Sequence, residues 1–266
     1  MSLITSEFRK VWFARAYRGL AFSAIGLAIL SCIASPYAVH SQAVSATGLT
    51  MNGLDDPQVV SGMYAKSVAG YIVVVIMGVL LMAGEFRNRT AVATFLSAPR
   101  RSSVLAAKLV VAALAGAVTM AIAVALGSLA CAVTLSQFPE SVAPAAGTFE
   151  HLGILAVVSG SVLAVIGLAM GTLIRSQGLA IGITVVWLYI IDTLLVLFWP
   201  TGGKYLPSGL ITGMMALHIE ASDGSGSIGI NTANYLDPTP AALILLGYGA
   251  VFAGIAMATT MRRDID

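Results

Sequence analysis

Charged residues are scarce in this chain. They make up 10% of its 266 residues, whereas soluble domains carry about 25%. Hydrophobic residues make up 58%, and they are gathered in continuous runs that are too long for β-strands. The shortage of charge excludes an ordinary soluble domain, and the long apolar runs favour membrane-spanning helices over an outer-membrane barrel. We therefore expect an all-α integral membrane protein.

Cysteine is nearly absent as well, since the chain has two. Cys32 and Cys131 each lie within an apolar run and are far apart in the sequence. Isolated cysteines in such surroundings are most simply buried core residues. They favour neither a disulfide framework nor a metal site.

Motifs that bind nucleotides or support hydrolysis are missing too. No GxxxxGK[ST] occurs, because GGKY at 202–205 lacks both the spacing and the hydroxyl residue. There is no HExxH, GxSG or GxGD, and His40, His151 and His218 are scattered. We expect no cofactor, no metal and no catalytic residue in this chain, which is therefore not an enzyme by itself.

Six apolar runs are long enough to cross a membrane, which takes about 20 helical residues. The shortest break between them is at Arg175, Ser176 and Gln177, which predicts a hairpin of spans four and five. Residues 19–266 should form a single transmembrane domain. Its six spans are expected at about 19–37, 64–84, 106–135, 152–174, 178–199 and 241–261.

The basic residues predict the orientation of these spans. Twelve of the fourteen Lys and Arg residues lie in the N-terminal leader, in residues 85–108, at Arg175 and in the C-terminal tail. The intervening segments hold only Lys66 and Lys204. Because basic residues accumulate on the cytoplasmic side, we expect both termini in the cytosol. The long leader and long first run favour a retained span over a cleaved signal peptide.

The N-terminal segment 1–18 has an amphipathic pattern. It predicts a helix along the inner membrane surface, although an unstructured basic leader is the alternative. The aromatic residues expected at headgroup depth are Phe8, Trp12, Phe13 and Tyr17.

A long outer loop at 200–240 precedes the last span. Its apolar stretch 206–222 is too short to cross the membrane, which predicts a re-entrant or interfacial helix. Residues 223–240 are rich in Gly, Ser and Pro and are expected to be a connector.

A compact basic segment, 85–105, separates spans two and three. Within it, TAVATFL at 90–96 is mildly apolar, and Pro99 precedes Arg100 and Arg101. The pattern predicts a short helix held between two spans and exposed to the cytosol, which suits docking into a groove of a partner. Alternatively, the basic residues only fix the topology.

This segment resembles the second-to-third-span loop of type-2 ATP-binding-cassette (ABC) permeases of bacterial exporters. The resemblance is carried by Glu85, Thr90, TFLSAPRR at 94–101 and LAAKL at 105–109. It extends to the interfacial helix, the six spans and the outer loop. Arg89 stands where that family usually has a glycine.

The resemblance implies a coupling helix that contacts a separate ATPase, with Glu85 at the inner membrane boundary near the interfacial helix. Two cytosolic ATPase subunits would bind ATP and Mg, and a second permease subunit, identical or paralogous, would complete the assembly. The implied ATPase-coupling residues are Glu85, Arg87, Arg89, Thr90, Thr94, Phe95, Leu96, Pro99, Arg100 and Arg101.

The implied function is ATP-driven export of an amphiphilic drug, peptide or lipid-like substrate by alternating access. The implied location is the inner membrane of a bacterium. Two other classes stay open. One is an ion-coupled secondary transporter or channel, and the other is a membrane scaffold that transports nothing.

Asp192 is the one acidic residue deep inside an apolar run, where ionisable groups are costly. Asp192 and Tyr189 are therefore candidates for a translocation path. The alternative is a structural hydrogen bond between Asp192 and Tyr189, or a link to another subunit. The GxxxG spacing of Gly167 and Gly171 predicts close helix packing.

Overall fold

The computed structural model describes residues 3–45, 53–87, 101–174, 176–214 and 235–262. All regular secondary structure in these ranges is helical. Six stretches within them are long and apolar enough to span a membrane. The chain is thus an all-α protein with the character of a multi-pass membrane protein.

The first half of the bundle contains three spans. Asp56 starts the second span, because its carboxylate accepts a hydrogen bond, 2.7 Å long, from the backbone N–H of Gln58. A 3-10 turn, Lys66–Gly70, then joins two α-helices into one span, Pro57–Arg87. The helices are α1 (Leu3–Phe13), α2 (Arg15–Ser45), α3 (Pro57–Ala65), α4 (Tyr71–Arg87) and α5 (Arg101–Leu135).

The second half contains the other three spans. A π-helical turn, Val186–Ile191, lies within the fifth span and joins its two α-helical parts. The helices are α6 (Thr148–Leu173), α7 (Gln177–Val185), α8 (Asp192–Phe198), α9 (Pro200–Gly203), α10 (Pro207–Met214) and α11 (Pro238–Arg262).

Helix α6 lies at the centre of the bundle, in contact with α4, α5 and α11. In the second and fourth spans, 67% of the most apolar window is buried, against 22% in the first, fifth and sixth. The inner spans therefore form the core, and the outer three leave wide apolar faces exposed. Such faces are suited to contact with lipid.

The two inner spans approach each other at backbone distance. A methyl group added at Gly78 of α4 would overlap the backbone of α6, and one added at Gly167 or Gly171 of α6 would overlap the backbone of α4. Small residues of this kind let helices in a membrane pack closely. The close packing predicted from the GxxxG spacing is confirmed.

The predicted spans agree with the helices in number and order, but several ends differ. Helix α2 continues through Pro36 to Ser45, beyond the predicted end at 37. The N-terminal segment is divided by Ala14, so α1 ends at Phe13 and the residues from Arg15 onward belong to the first span.

The segment predicted as a loop at 85–105 is shorter at both ends. Helix α4 continues to Arg87, and α5 begins at Arg101. The predicted coupling helix falls within 88–100, outside the described residues. The predicted re-entrant helix is described over Pro207–Met214 only.

Candidate functional site

Four charged side chains form an ionic cluster where α1, α4 and α5 meet. Lys108 of α5 is at its centre, with Nζ 2.7 Å from Glu7 Oε2 and 2.7 Å from Glu85 Oε1. Lys10 of α1 closes the cluster, with Nζ 2.6 Å from Glu7 Oε1 and 3.0 Å from Glu85 Oε1. Two carboxylates and two ammonium groups thus balance each other. The Lys- and Arg-containing helix α1 and the two helix ends that flank residues 88–100 lie at this end of the bundle, which we call the basic end.

The ionic cluster is buried on its inner side. The side chain of Lys108 is 1% exposed, that of Glu7 3% and that of Glu85 12%, whereas Lys10 is 46% exposed. Lysine is almost never fully buried without a partner, because removing the ammonium group from water is costly. Lys108 lies seven residues beyond Arg101, or about 10 Å along the helix. The cluster therefore joins the interior of the bundle to its surface.

The protonation equilibria of α1 reflect this pairing. Burial alone would raise the pKa of Glu7, but the ammonium groups of Lys108 and Lys10 outweigh it and hold that pKa below its usual range. Burial alone would lower the pKa of Lys10, but its hydrogen bonds to Glu7 and Glu85 outweigh it and raise that pKa. Both groups are therefore charged at neutral pH.

The ionic cluster flanks the segment 88–100 on both sides. Glu85 is in the last turn of α4, just before this segment, and Lys108 follows it within the second turn of α5. Their ion pair fastens the two helices to each other. Glu7 fastens α1 to α5, and Lys10 fastens α1 to α4. A force applied to the segment would therefore reach three helices that are held together.

A cavity of about 410 Å³ lies next to the ionic cluster at the basic end. It opens between the end of α4 and the start of α7, where Arg87 Nη1 donates a hydrogen bond to Gln177 Oε1 over 3.2 Å. Its walls are formed by Phe86, Arg87, Ser176, Gln177, Gly178 and Ile181. The predicted hairpin of spans four and five thus meets the second span here.

The aromatic residues of the N-terminal segment divide into two groups. Phe8 and Trp12 of α1 stack with their ring centroids 6.2 Å apart, and these two side chains and that of Phe13 are exposed. Tyr17 belongs to α2 and packs against the hydrophobic core. Helix α1 thus turns Glu7 towards the bundle and its aromatic rings away from it. Its position along the membrane surface stays a prediction.

Asp192, at the start of α8, is buried with a relative exposure of 1%. Its Oδ2 accepts a hydrogen bond from the backbone N–H of Ser208 over 2.9 Å. Its Oδ1 has no hydrogen-bond partner among the described residues. The hydrogen bond suggested with Tyr189 is replaced by this one, because Tyr189 points outward from the fifth span. Asp192 therefore holds the start of α10 against that span.

The remaining predicted coupling residues cannot be placed beside the ionic cluster. Arg101 begins α5. Arg89, Thr90, Thr94, Phe95, Leu96, Pro99 and Arg100 lie outside the described residues.

The sequence predicts a functional role for one residue of the ionic cluster, Glu85. The amphipathic pattern accounts for Glu7 and Lys10 as part of the N-terminal leader, and Lys108 belongs to the basic residues that predict the orientation. A lysine followed by a long apolar run of the same helix was the available signal, because such a residue needs a partner.

No group of three or more His, Cys, Asp or Glu side chains that could hold a metal ion occurs in the described ranges. A scan against protein-family models and a search of curated proteins found no match for this chain. The site is therefore interpreted from its own geometry.

Proposed function

We propose that this chain is the membrane-spanning permease subunit of an ABC transporter that exports an amphiphilic substrate. The observation that carries the proposal is the ionic cluster, in which Lys108 joins Glu7 of α1 to Glu85 of α4. The cluster stands on both sides of the segment that resembles a coupling helix. A transporter without its own nucleotide site needs such a mechanical connection to a separate ATPase.

The helix packing supports a route by which closure of the ATPase subunits would move the core of the bundle. Two cytosolic ATPase subunits, each holding ATP and Mg, would press on residues 88–100 as they close. The ion pairs would make α1, α4 and α5 move together, and the tight contact of Gly78 with the backbone of α6 would carry the movement into the core. Helices in such close contact slide or rotate as units.

The substrate class follows from the surface of the spans. The first, fifth and sixth spans expose apolar faces, and the charged side chains buried in the described spans are limited to Lys108, its partner Glu85 and Asp192. A pathway built between two such subunits would suit a drug, peptide or lipid-like molecule better than a bare ion. The second permease subunit is identical or paralogous.

The test is co-purification of the full chain with candidate ABC ATPases from the same organism, followed by ATP hydrolysis in lipid. The double substitution Arg100→Glu and Arg101→Glu, and separately Thr94→Pro, should abolish recruitment of the ATPase. Lys66→Glu, at the opposite end of the bundle, is the matched control and should leave recruitment unchanged. Normal recruitment and stimulation by the loop variants would refute the coupling role.

A second candidate, an ion-coupled secondary transporter, is favoured by one observation: the buried Oδ1 of Asp192 has no hydrogen-bond partner in the part of the chain that the structure describes. Here the carboxylate would bind a proton or cation in the pathway. Purified chain in vesicles, without any ATPase, would then catalyse gradient-driven transport that Asp192→Asn abolishes. The absence of such transport would leave the ABC permease as the better function.

A further inference from the structure

The cavity at the basic end has no role in the transport cycle proposed above, and its walls are of two kinds. Arg87, Ser176 and Gln177 are polar, whereas Phe86 and Ile181 are apolar. Its volume of about 410 Å³ lies within the range of small-molecule sites, about 300–1,000 Å³. The cavity is therefore large enough for a ligand that has both a polar and an apolar part.

The polar wall carries a positive charge that no carboxylate neutralises among the described residues. Arg87 is exposed, forms no salt bridge there and donates one hydrogen bond, from Nη1 to Gln177 Oε1 over 3.2 Å. The neighbouring carboxylate of Glu85 is bound within the ionic cluster. Segment 88–100, which follows Arg87 in the chain, has no acidic residue. A guanidinium group has several N–H donors and binds phosphate oxygens in pairs, so Arg87 keeps donors for an anion.

The start of α7 adds a second feature that favours an anion at the same place. Ser176 precedes the helix, and its hydroxyl group makes no capping hydrogen bond to it. The N–H groups of a first helical turn have no carbonyl partner within their helix, and the helix dipole makes this end positive. Ser176 and Gly178 both line the cavity. Backbone N–H groups, a hydroxyl group and the guanidinium group of Arg87 thus line one space.

A groove along the fifth span continues from the cavity. Gly178 and Gly182 are four residues apart and therefore lie on one face of the helix. Space is open at both, since a methyl group added at either would have no described atom outside its own helix within 4 Å. The next residue on this face, Val186, is 45% exposed and lies about 12 Å along the helix from Gly178. The groove is thus apolar and leads from the polar cavity towards the middle of the span.

The groove and its position distinguish a phospholipid from a free anion. Arg87 is the last residue of the second span and Gln177 the first of the fifth, so the cavity lies where lipid headgroups meet the hydrocarbon core. Basic pockets between spans are known to bind phosphorylated headgroups. Free phosphate would contact the polar wall only and leave the groove empty. A choline headgroup would bring its ammonium group close to Arg87, so the site favours an anionic lipid over a zwitterionic one.

We propose that this cavity binds the phosphate group of an anionic phospholipid, with one acyl chain in the groove of Gly178 and Gly182. The phosphate oxygens accept hydrogen bonds from Arg87, from the Ser176 hydroxyl group and from the backbone N–H groups at the start of α7. The bound lipid fills the space between the second and fifth spans. The inference does not rest on the transport function proposed above, and its test needs no ATPase.

The test is native mass spectrometry of the purified full chain in detergent, with equal amounts of phosphatidylglycerol and phosphatidylcholine that carry the same acyl chains. The native chain should retain one phosphatidylglycerol in preference to phosphatidylcholine. Arg87→Gln should lower this preference about tenfold, the loss expected of a hydrogen bond from a charged group. Gly178→Phe should lower it too, because the new ring occupies the cavity, where a side chain has room.

Two matched controls lie outside the cavity. Arg18→Gln removes an exposed arginine of α2, and Gly26→Phe adds a ring at an open position of the same helix. Both should keep the preference of the native chain. Equal retention of the two lipids by the native chain, or an unchanged preference in Arg87→Gln and Gly178→Phe, would overturn the proposal. So would full displacement of phosphatidylglycerol by an equal concentration of inorganic phosphate, since the acyl chain would then contribute nothing.

Discussion

At the scale of single residues, the chain depends on a few charges placed inside an apolar bundle. Lys108 is compensated by the carboxylates of Glu7 and Glu85, both within 2.7 Å of its Nζ. A buried charge of this kind stabilises a fold only while its partners remain, since an unpaired ion in the interior carries the full cost of desolvation. The ionic cluster is therefore the place where a single substitution has the largest effect.

Lys108→Met should strongly destabilise the chain, because it leaves two buried carboxylates beside one exposed ammonium group. The expected loss in the free energy of unfolding is about 3–5 kcal/mol. Thermal unfolding in detergent measures it, with Lys66→Met as the exposed lysine control. A loss no larger than that of the control would mean that the ionic cluster is not a structural joint.

The pH dependence of α1 follows from the lowered pKa of Glu7. A carboxylate whose pKa is depressed by folding contributes stability above its unfolded pKa, about 4.3, and that stability is lost as pH falls through the folded value. Helix α1 should therefore detach in an acid transition centred below about 4.3. Fluorescence of Trp12, with Trp187 and Trp199 replaced by Phe, reports the transition.

Glu7→Gln is the control for this titration, since it removes the titrating group and should abolish the acid transition of α1. Lys10 has a raised pKa, so its contribution is present below its unfolded pKa and is lost as pH rises above about 10.4. An acid transition that persists in Glu7→Gln would assign it to another carboxyl group.

At the scale of elements, the contact between α4 and α6 is set by glycine, and the contact between α8 and α10 is set by one carboxylate. The first leaves no space for a side chain at Gly78 or Gly167. The second consists of the hydrogen bond from the Ser208 N–H to Asp192 Oδ2. Both contacts can be tested with small changes.

Gly167→Ala should destabilise the bundle, because the new methyl group meets the backbone of α4. Overpacking of this kind costs about 1–3 kcal/mol. Gly182→Ala, in the fifth span with open space around it, is the matched control and should be neutral or stabilising because alanine favours helix. The measurement is the midpoint of thermal unfolding of each variant. Equal midpoints for Gly167→Ala and Gly182→Ala would contradict the close approach of α4 and α6.

Asp192→Leu should free the start of α10, since it removes the acceptor of the Ser208 N–H. Leaving a buried donor without a partner costs about 1–3 kcal/mol. Hydrogen exchange of the α10 amides should accelerate in Asp192→Leu and stay slow in Asp192→Asn, whose side-chain oxygen still accepts. Equal exchange in both variants would show that α10 is held by its apolar contacts instead.

At the scale of the whole molecule, the number and order of the spans could be predicted from the sequence, because each apolar run is long enough to cross and is bounded by polar residues. The ends of the spans were less predictable. Helix α2, for example, continues through Pro36 to Ser45. The resemblance implied that Glu85 lies near the interfacial helix, but the partners of Lys108 could not be predicted. Glu7 and Lys108 are 101 residues apart in the chain, and their pairing is decided only when three helices pack.

The π-helical turn Val186–Ile191 has a consequence for how the chain length of the fifth span can vary. A π turn takes up one residue more than an α turn, and this surplus is confined to a local bulge. Removing one residue within the turn would close the bulge and keep Asp192 in its present rotational phase. Removing one from α7 would instead rotate Asp192 by about 100°. A homologous span one residue shorter can thus present the same acid at the same depth, provided that the gap falls in this turn.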